Sequence, residues 1–462
     1  MAIHLDYTNM LAANVPGGGI SEAAWDDAET AFAAARRTLE AQRAAGALGF
    51  LDVAEGHASL AELRQFADGA GQAFNDIVVL GIGGSALGTI ALRTALAAPR
   101  WNELSDDARD FFPRLHVLDN VDPTTIAPLL DRLELGSTLF IVISKSGSTA
   151  ETMAQYLIVR AKLEEALEDG FQRHLVFITD PEKGALRAIA RAERIVSLDV
   201  PPNVGGRFSV LSPVGLLPAA LIGIDVHALV DGAADMARRC ERATLAENPA
   251  GVYATLQWLA DTQLGCGIHV LMPYSDPLRD LGDWFVQLWA ESLGKLRDGT
   301  TPTGPTPMGA LGATDQHSKV QLFMEGPRNK TVTFVAVKEL PRDLEIPRLH
   351  GDIPELAYLG GHHLGELLDI ERRATAGALA RRGRPNMTIT LDRVDAWHVG
   401  GLIMLLEMAT IYAGALYGIN PLDQPGVELG KQFTYAMLGR ADAERARQEW
   451  EQLPKPDPRR VI

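Results

Sequence analysis

Apolar residues along this chain fall into short unbroken runs, separated by longer stretches in which they recur every three or four positions. The runs D-I-V-V-L (76–80), L-H-V-L-D (115–119), T-L-F-I-V-I (138–143), H-L-V-F-I-T (174–179) and R-I-V-S-L-D (194–199) are rich in β-branched residues and predict strands. Helical periodicity lies between them, most plainly over 150–167. An alanine-rich, charged segment over 23–45 predicts a helix that packs as an arm. A second set follows, with strands G-I-H-V-L-M (267–272), T-V-T-F-V-A-V (331–337) and M-T-I-T-L (387–391) and helices near 226–246, 249–264, 277–296 and 396–418. Continuous apolar strands alternating with helices imply mainly parallel sheets covered on both faces, so the expected class is α/β, in three-layer αβα sandwiches. The expected division is a helical arm over 1–45, a first sandwich over 46–222, a second over 223–425 and a helical tail over 426–462. The stretch T-P-T-G-P-T-P-M-G (301–309) carries three prolines and two glycines. It reads as a loop leading toward Gln316 and His317.

Composition narrows the setting. A chain of 462 residues with 47% hydrophobic content supports a large core, and the net charge of −16 disfavours nucleic acid or an anionic membrane as partner. The two cysteines, Cys240 and Cys266, form no C-x-x-C pair, and the amino terminus M-A-I-H-L-D-Y has no basic-then-apolar pattern. A cytoplasmic, reducing location is expected. The segment 399–419 is long enough to cross a bilayer and carries one charge, Glu407. Gly400, Gly401, Gly414 and Gly418 interrupt it and no basic flank follows, so it reads as a helix buried in the core.

Two segments at predicted strand ends and one helix face carry the chemistry. The first, G-I-G-G-S-A-L-G (81–88), follows the strand 76–80 and satisfies G-x-G-x-x-G/A through Gly81, Gly83 and Ala86. A dinucleotide site also wants an acid about 20 residues on, whereas Asp119, at the end of the next strand, is 33 positions beyond Ala86. The second, S-K-S-G-S-T-A-E-T (144–152), follows the strand 138–143. Ser148 and Glu151 have capping-box spacing, which leaves Ser144, Lys145, Ser146, Gly147 and Thr149 without a role. Four hydroxyls beside a helix start suit a phosphate monoester, since free amides and the helix dipole favour an anion. Lys145 either adds a formal charge there or is solvated. The third, W-F-V-Q-L-W-A-E-S-L-G-K (284–295), is a helical pattern with Gln287 and Glu291 on one face. An isolated glutamate is usually a solvated acid. Among Leu288, Trp289 and Ala290 this one is expected to lose hydration and to serve as a base.

Three single residues read as ordinary when taken alone. Arg207 in N-V-G-G-R-F-S follows two glycines that permit close backbone approach, yet a lone arginine is usually a surface ion pair. His317 in A-T-D-Q-H-S belongs to a loop, where histidine is more often structural. Lys431 in V-E-L-G-K-Q lies in a predicted helix and reads as solvated.

Taken in order, G-I-G-G-S, S-K-S-G-S-T-A-E-T, N-V-G-G-R-F-S, Q-L-W-A-E-S-L-G-K, D-Q-H-S and D-Q-P-G-V-E-L-G-K resemble the glucose-6-phosphate isomerase family in its shorter bacterial form. The resemblance runs from about residue 76 to 432, and the set of six is specific where each piece is not. It implies two sugar-isomerase (SIS) domains, a homodimer, and no metal or nucleotide cofactor. It assigns Ser144, Lys145, Ser146, Ser148 and Thr149 to the phosphate loop and Gly84 and Ser85 to the sugar end of the pocket. Glu291 becomes the base that moves a proton between C1 and C2, and Arg207 the stabiliser of the enediolate. His317 and Lys431 match residues of ring opening, assisted by Gln287 and Gln424, with the histidine supplied across the dimer.

Ala86 stands where many members carry an acid, and Gly147 replaces a bulkier residue of the eukaryotic loop; both are expected to alter pocket walls. The leading expectation is reversible isomerisation of glucose 6-phosphate and fructose 6-phosphate. Its alternatives are a broader isomerase that also takes mannose 6-phosphate, a non-catalytic SIS regulator that binds sugar phosphate, and a dinucleotide-dependent dehydrogenase.

Overall fold

Unbroken apolar runs become strands covered on both sides. The computed structural model describes residues 3–55 and 57–462; residues 1 and 2, at the start of the expected arm, and residue 56 lie outside the described residues. The strands are β1 (Ile3–Asp6), β2 (Asp76–Leu80), β3 (Arg114–Leu118), β4 (Thr138–Ile143), β5 (Leu175–Thr179), β6 (Val196–Asp199), β7 (Ile268–Pro273), β8 (Lys295–Arg297), β9 (Thr301–Thr303), β10 (Thr306–Gly309), β11 (Lys330–Glu339) and β12 (Asn386–Arg393). One sheet is wholly parallel in the order β3-β2-β4-β5-β6. The other runs β1-β12-β11-β7-β10 and is parallel except for β1. The expected α/β class, on two mainly parallel sheets, is the observed one.

Side chains alternate across each strand, and the core divides accordingly. Ile77, Val79, Leu139, Ile141 and Ile178 join one buried cluster, while Val78, Leu80, Phe140, Val142 and Phe177 join another on the opposite face. The first cluster extends without interruption to Leu271, Met387, Ile389 and Leu391 of the second sheet, so both sheets rest on one shared core.

The helix Ala396–Tyr417 runs through that core. It is long and apolar enough to span a membrane, and 89% of its apolar window is buried inside the protein, as expected. Its glycines have a packing role. A Cβ on Gly400 would lie 1.9 Å from the Leu229 carbonyl oxygen, and one on Gly232 would lie 1.9 Å from that of Trp397. The helix Val226–Arg239 therefore approaches it backbone to backbone. Glu407 is fully buried, and burial pushes its carboxyl well above the usual range, which favours the neutral acid.

Three edges depart from the expectation. Residues 301–309 form β9 and β10 instead of a loop. β9 belongs to a two-stranded ribbon with β8, and β10 borders β7 alone; at a sheet edge a missing N–H faces no neighbour, so proline is tolerated. Residues 3–6 of the expected helical arm are strand β1, whose four residues pair antiparallel with β12. A run that short carries too few alternations to be visible in the sequence. The helices expected over 226–246 and 277–296 are shorter, Val226–Arg239 and Leu281–Leu293.

Candidate active site

Adjacent strands β2 and β4 set Leu80 opposite Val142, so the turns that follow them, 81–85 and 144–149, leave the sheet side by side. In chain order this sheet reads second, first, third, fourth, fifth. The two turns thus stand where the connections diverge, the crevice in which such sheets bind ligands.

The hydroxyl-rich turn is organised around Ser144. Its buried Oγ lies 2.9 Å from Thr149 Oγ1 and 3.5 Å from Ser146 Oγ, and the Ser148 backbone N–H donates to Ser146 Oγ at 3.4 Å. The capping box expected from Ser148 and Glu151 does not form. Thr149 is the N-cap of the helix Ala150–Leu167 and makes no side-chain capping bond, because its hydroxyl is engaged with Ser144. The first amides of that helix consequently face outward without a side-chain acceptor from the cap, an arrangement suited to an anion.

Gly147 has a φ of +64°, and a Cβ there would lie 3.1 Å from Gly184 Cα. It is buried, as is Ala86. Gly147 is small because the backbone of Gly184 and Leu186 passes close by. Lys145 does not point to bulk solvent. Its ammonium donates to the carbonyls of Pro202 and Val204 at 2.8 and 2.7 Å, tying the turn to the segment that leads to Arg207. Partial burial pushes its pKa down.

Gly84 brings the next element in. A Cβ there would sit 2.4 Å from the Gly206 carbonyl, so only glycine lets the 83–85 turn touch the 205–209 loop. Ser85 follows in the same turn. The loop buries Arg207 to 2% exposure and uses every arm of its guanidinium. Nε donates to Ser292 Oγ at 2.6 Å, Nη1 to Glu291 Oε1 and Gln424 Oε1 at 3.0 Å each, and Nη2 to the carbonyls of Pro421 and Asp423 at 2.5 and 3.0 Å. Burial lowers its pKa, and Glu291 opposes the effect. The lone arginine that read as a surface ion pair is the hub of the site.

The helix Leu281–Leu293 buries Trp284, Phe285, Leu288 and Trp289 and turns Gln287 and Glu291 to a cleft. Gln287 Nε2 donates to Glu291 Oε2 at 3.1 Å. The cleft, about 440 Å³, is lined also by Lys295, Gln424 and the 425–427 segment. The dry carboxylate expected from the sequence is instead paired and 27% exposed, because Leu288 and Trp289 point to the other side of the helix and Ala290 beside it lines the open cleft. Lys295 and Asp423 are site residues that the sequence reading passed over. Lys295 stands four positions after Glu291 in the quoted motif, which was the available signal.

Two expected members are not bonded to this group within the chain among the described residues. His317 lies exposed on a short turn, 314–317, after β10; the neighbouring Gln316 donates to the Tyr274 hydroxyl at 2.6 Å. Lys431, in the helix Glu428–Met437, is exposed and pairs with Glu428 at 3.0 Å.

The comparisons with known proteins agree with one another. The phosphoglucose isomerase family model matches residues 48–353 and 368–453. The chain is 53% identical to a glucose-6-phosphate isomerase of Rubrobacter xylanophilus over 82% of its length and 84% of that protein. It is 44% identical to one of Carboxydothermus hydrogenoformans over 100% of both. Among solved structures, a hypothetical protein of Thermus thermophilus superposes with a TM-score of 0.85 at 38% identity, covering 95% of this chain and 100% of that one.

Proposed function

The chain belongs to the phosphoglucose isomerase family and interconverts D-glucose 6-phosphate and D-fructose 6-phosphate, and we propose that Glu291 carries the proton between C1 and C2 of the opened sugar. The observation that carries this reading is the pairing of Glu291 with the buried guanidinium of Arg207. A proton alpha to a carbonyl is weakly acidic, so a positioned base must take it as charge develops on the carbonyl oxygen. Glu291 removes the C2 proton of the aldose, the hydroxyl proton passes from O2 to O1, and Glu291 returns its proton to C1 of the cis-enediol. Arg207, fixed by five hydrogen bonds, meets the developing enediolate with a charge that needs no reorganisation.

The phosphate end belongs to Ser144, Ser146, Ser148 and Thr149 at the helix start, with Lys145 orienting the turn. Gly84 and Ser85 face the sugar, and Gln287 and Gln424 hold its hydroxyls. Ring opening falls to Lys431 and to His317 of the partner subunit in a homodimer. Exposed Leu429, Met437 and Leu438 on the carboxyl-terminal helices, with Leu344, Leu349 and Tyr358 on the 340–363 segment, support a partner surface. We read the division as two domains, 46–222 and 223–425, flanked by arms. The two buried, unpaired thiols fit the cytoplasm.

Turnover of glucose 6-phosphate labelled with tritium at C2 tests the route. Label is expected partly at C1 of fructose 6-phosphate, carried there by Glu291, and partly in water after exchange at the carboxyl; complete retention through repeated turnovers at equilibrium would overturn the enediol step.

A further inference from the structure

Lys295 has no role in the scheme above, and its surroundings are unusual for a lysine. It follows the last turn of the helix that carries Glu291, where a lysine commonly caps free carbonyls with its head in water. Here the side chain is only 7% exposed. Its ammonium donates to the Glu291 backbone carbonyl at 2.5 Å and stands 3.8 Å from Asp423 Oδ1. Those two contacts belong to different elements: the end of the catalytic helix, and the loop whose next residue, Gln424, accepts from Arg207. The Arg207 guanidinium, held by the same Asp423–Gln424 loop, is a like charge that acts on it. Burial lowers the pKa of both cations; Arg207 lowers that of Lys295 further, and Asp423 and Glu291 oppose it. Placing two like charges in one desolvated wall is unfavourable, and a solvated helix cap would avoid that arrangement.

We propose that Lys295 is a positioning residue for the isomerisation, locking the Glu291 helix end to the Asp423–Gln424 loop and adding a second buried positive charge behind the base. The inference rests on the reading of Glu291 as the base. Because Lys295 acts through the arrangement of Glu291 and Arg207, it governs the chemical step more than ground-state affinity.

The test compares Lys295→Met and Lys295→Arg with the unaltered protein, measuring kcat and KM for fructose 6-phosphate and the thermal unfolding midpoint. In the methionine variant kcat is expected to fall about 10- to 100-fold with KM changed less than about threefold, as for a slight misplacement of catalytic groups. Arginine, which keeps the charge and the donors, should restore most of kcat. A methionine variant within about twofold of the original kcat would overturn the proposal. So would equal losses of kcat in the two variants with an unfolding midpoint lowered in both, which marks a structural residue. If methionine prevents folding, arginine decides alone: near-original kcat supports the role and near-complete loss overturns it. Glu291→Gln, assayed in parallel, separates the two readings. An active glutamine variant removes the base assignment, whereas an inactive one beside an active Lys295→Met removes only the role of Lys295.

Discussion

The Arg207 guanidinium and the Glu291 carboxylate meet at 3.0 Å, although one comes from a loop after the first sheet and the other from a helix of the second. The proposed base and the cation proposed to answer its work are therefore mutually oriented before any sugar arrives. Glutamine at 291 keeps one oxygen to accept from Arg207, and its amide N–H can donate to Gln287 once that side chain turns its unpartnered Oε1 inward. Glu291→Gln should therefore keep the fold and the affinity for fructose 6-phosphate. Its kcat should fall about 10²- to 10⁴-fold, the range of a lost proton-transfer group. Steady-state rates beside calorimetric binding check both halves, and unchanged turnover would place the base elsewhere.

The serine turn should behave in the opposite sense. Ser146 and Thr149 are proposed to donate to a phosphate that is alike in substrate and transition state, so their loss is uniform binding lost. Each hydrogen bond to a charged group is worth roughly 1.5–3 kcal/mol, so Ser146→Ala and Thr149→Ala should each raise KM about 10- to 100-fold and leave kcat nearly unchanged. A preserved KM would move the phosphate site away from this turn.

Gly400 tests the core helix without touching the site. A methyl group there would collide with the Leu229 carbonyl, a backbone atom that cannot swing aside. Gly400→Ala should lower stability by about 1–3 kcal/mol or more, as overpacking does, while Gly377→Ala on an exposed helix, where nothing lies within 4 Å, should cost nothing. Urea unfolding of the pair gives the difference.

His269 supplies a pH dependence. It is fully buried, accepts from Trp289 Nε1 at 3.0 Å, and burial pushes its pKa from 6.5 down to about 3. Below pH 6.5 the unfolded chain takes up a proton that the folded chain refuses, so stability falls as pH drops from there toward 3. The slope from this group approaches about 1.4 kcal/mol per pH unit. His269→Gln, which preserves an acceptor, should flatten the decline between pH 6 and 4, as read by urea unfolding at each pH; an equally steep curve would assign the acid sensitivity to other groups.

Much of the first sheet was legible because its strands are apolar on both faces: 76–80 and 138–143 are read to the residue. β1, β9 and β10 were not, since short edge strands with proline or few alternations look like loops. The serine turn was visible as an excess of hydroxyls, but its cap was misassigned, because Thr149 bonds to Ser144 and not to its own helix. Glu291 and Gln287 followed from helical spacing. Their hydration did not, as chain neighbours such as Trp289 point away from the cleft. Arg207 and Lys295 were least legible. A buried cation is recognisable only by its partners, and those arrive from segments 84 to 217 positions away for Arg207, and from Asp423 for Lys295.

The apolar interior shared by the two sheets has a consequence for how sugar enters and leaves. Halves joined through one continuous interior cannot hinge apart like jaws without tearing Ile141 or Ile178 from the layer that also holds Leu271 and Ile389. Admission is left to the rim: the short ribbon 295–303 and the Gln424–Val427 segment, which border the cleft and lie outside that interior.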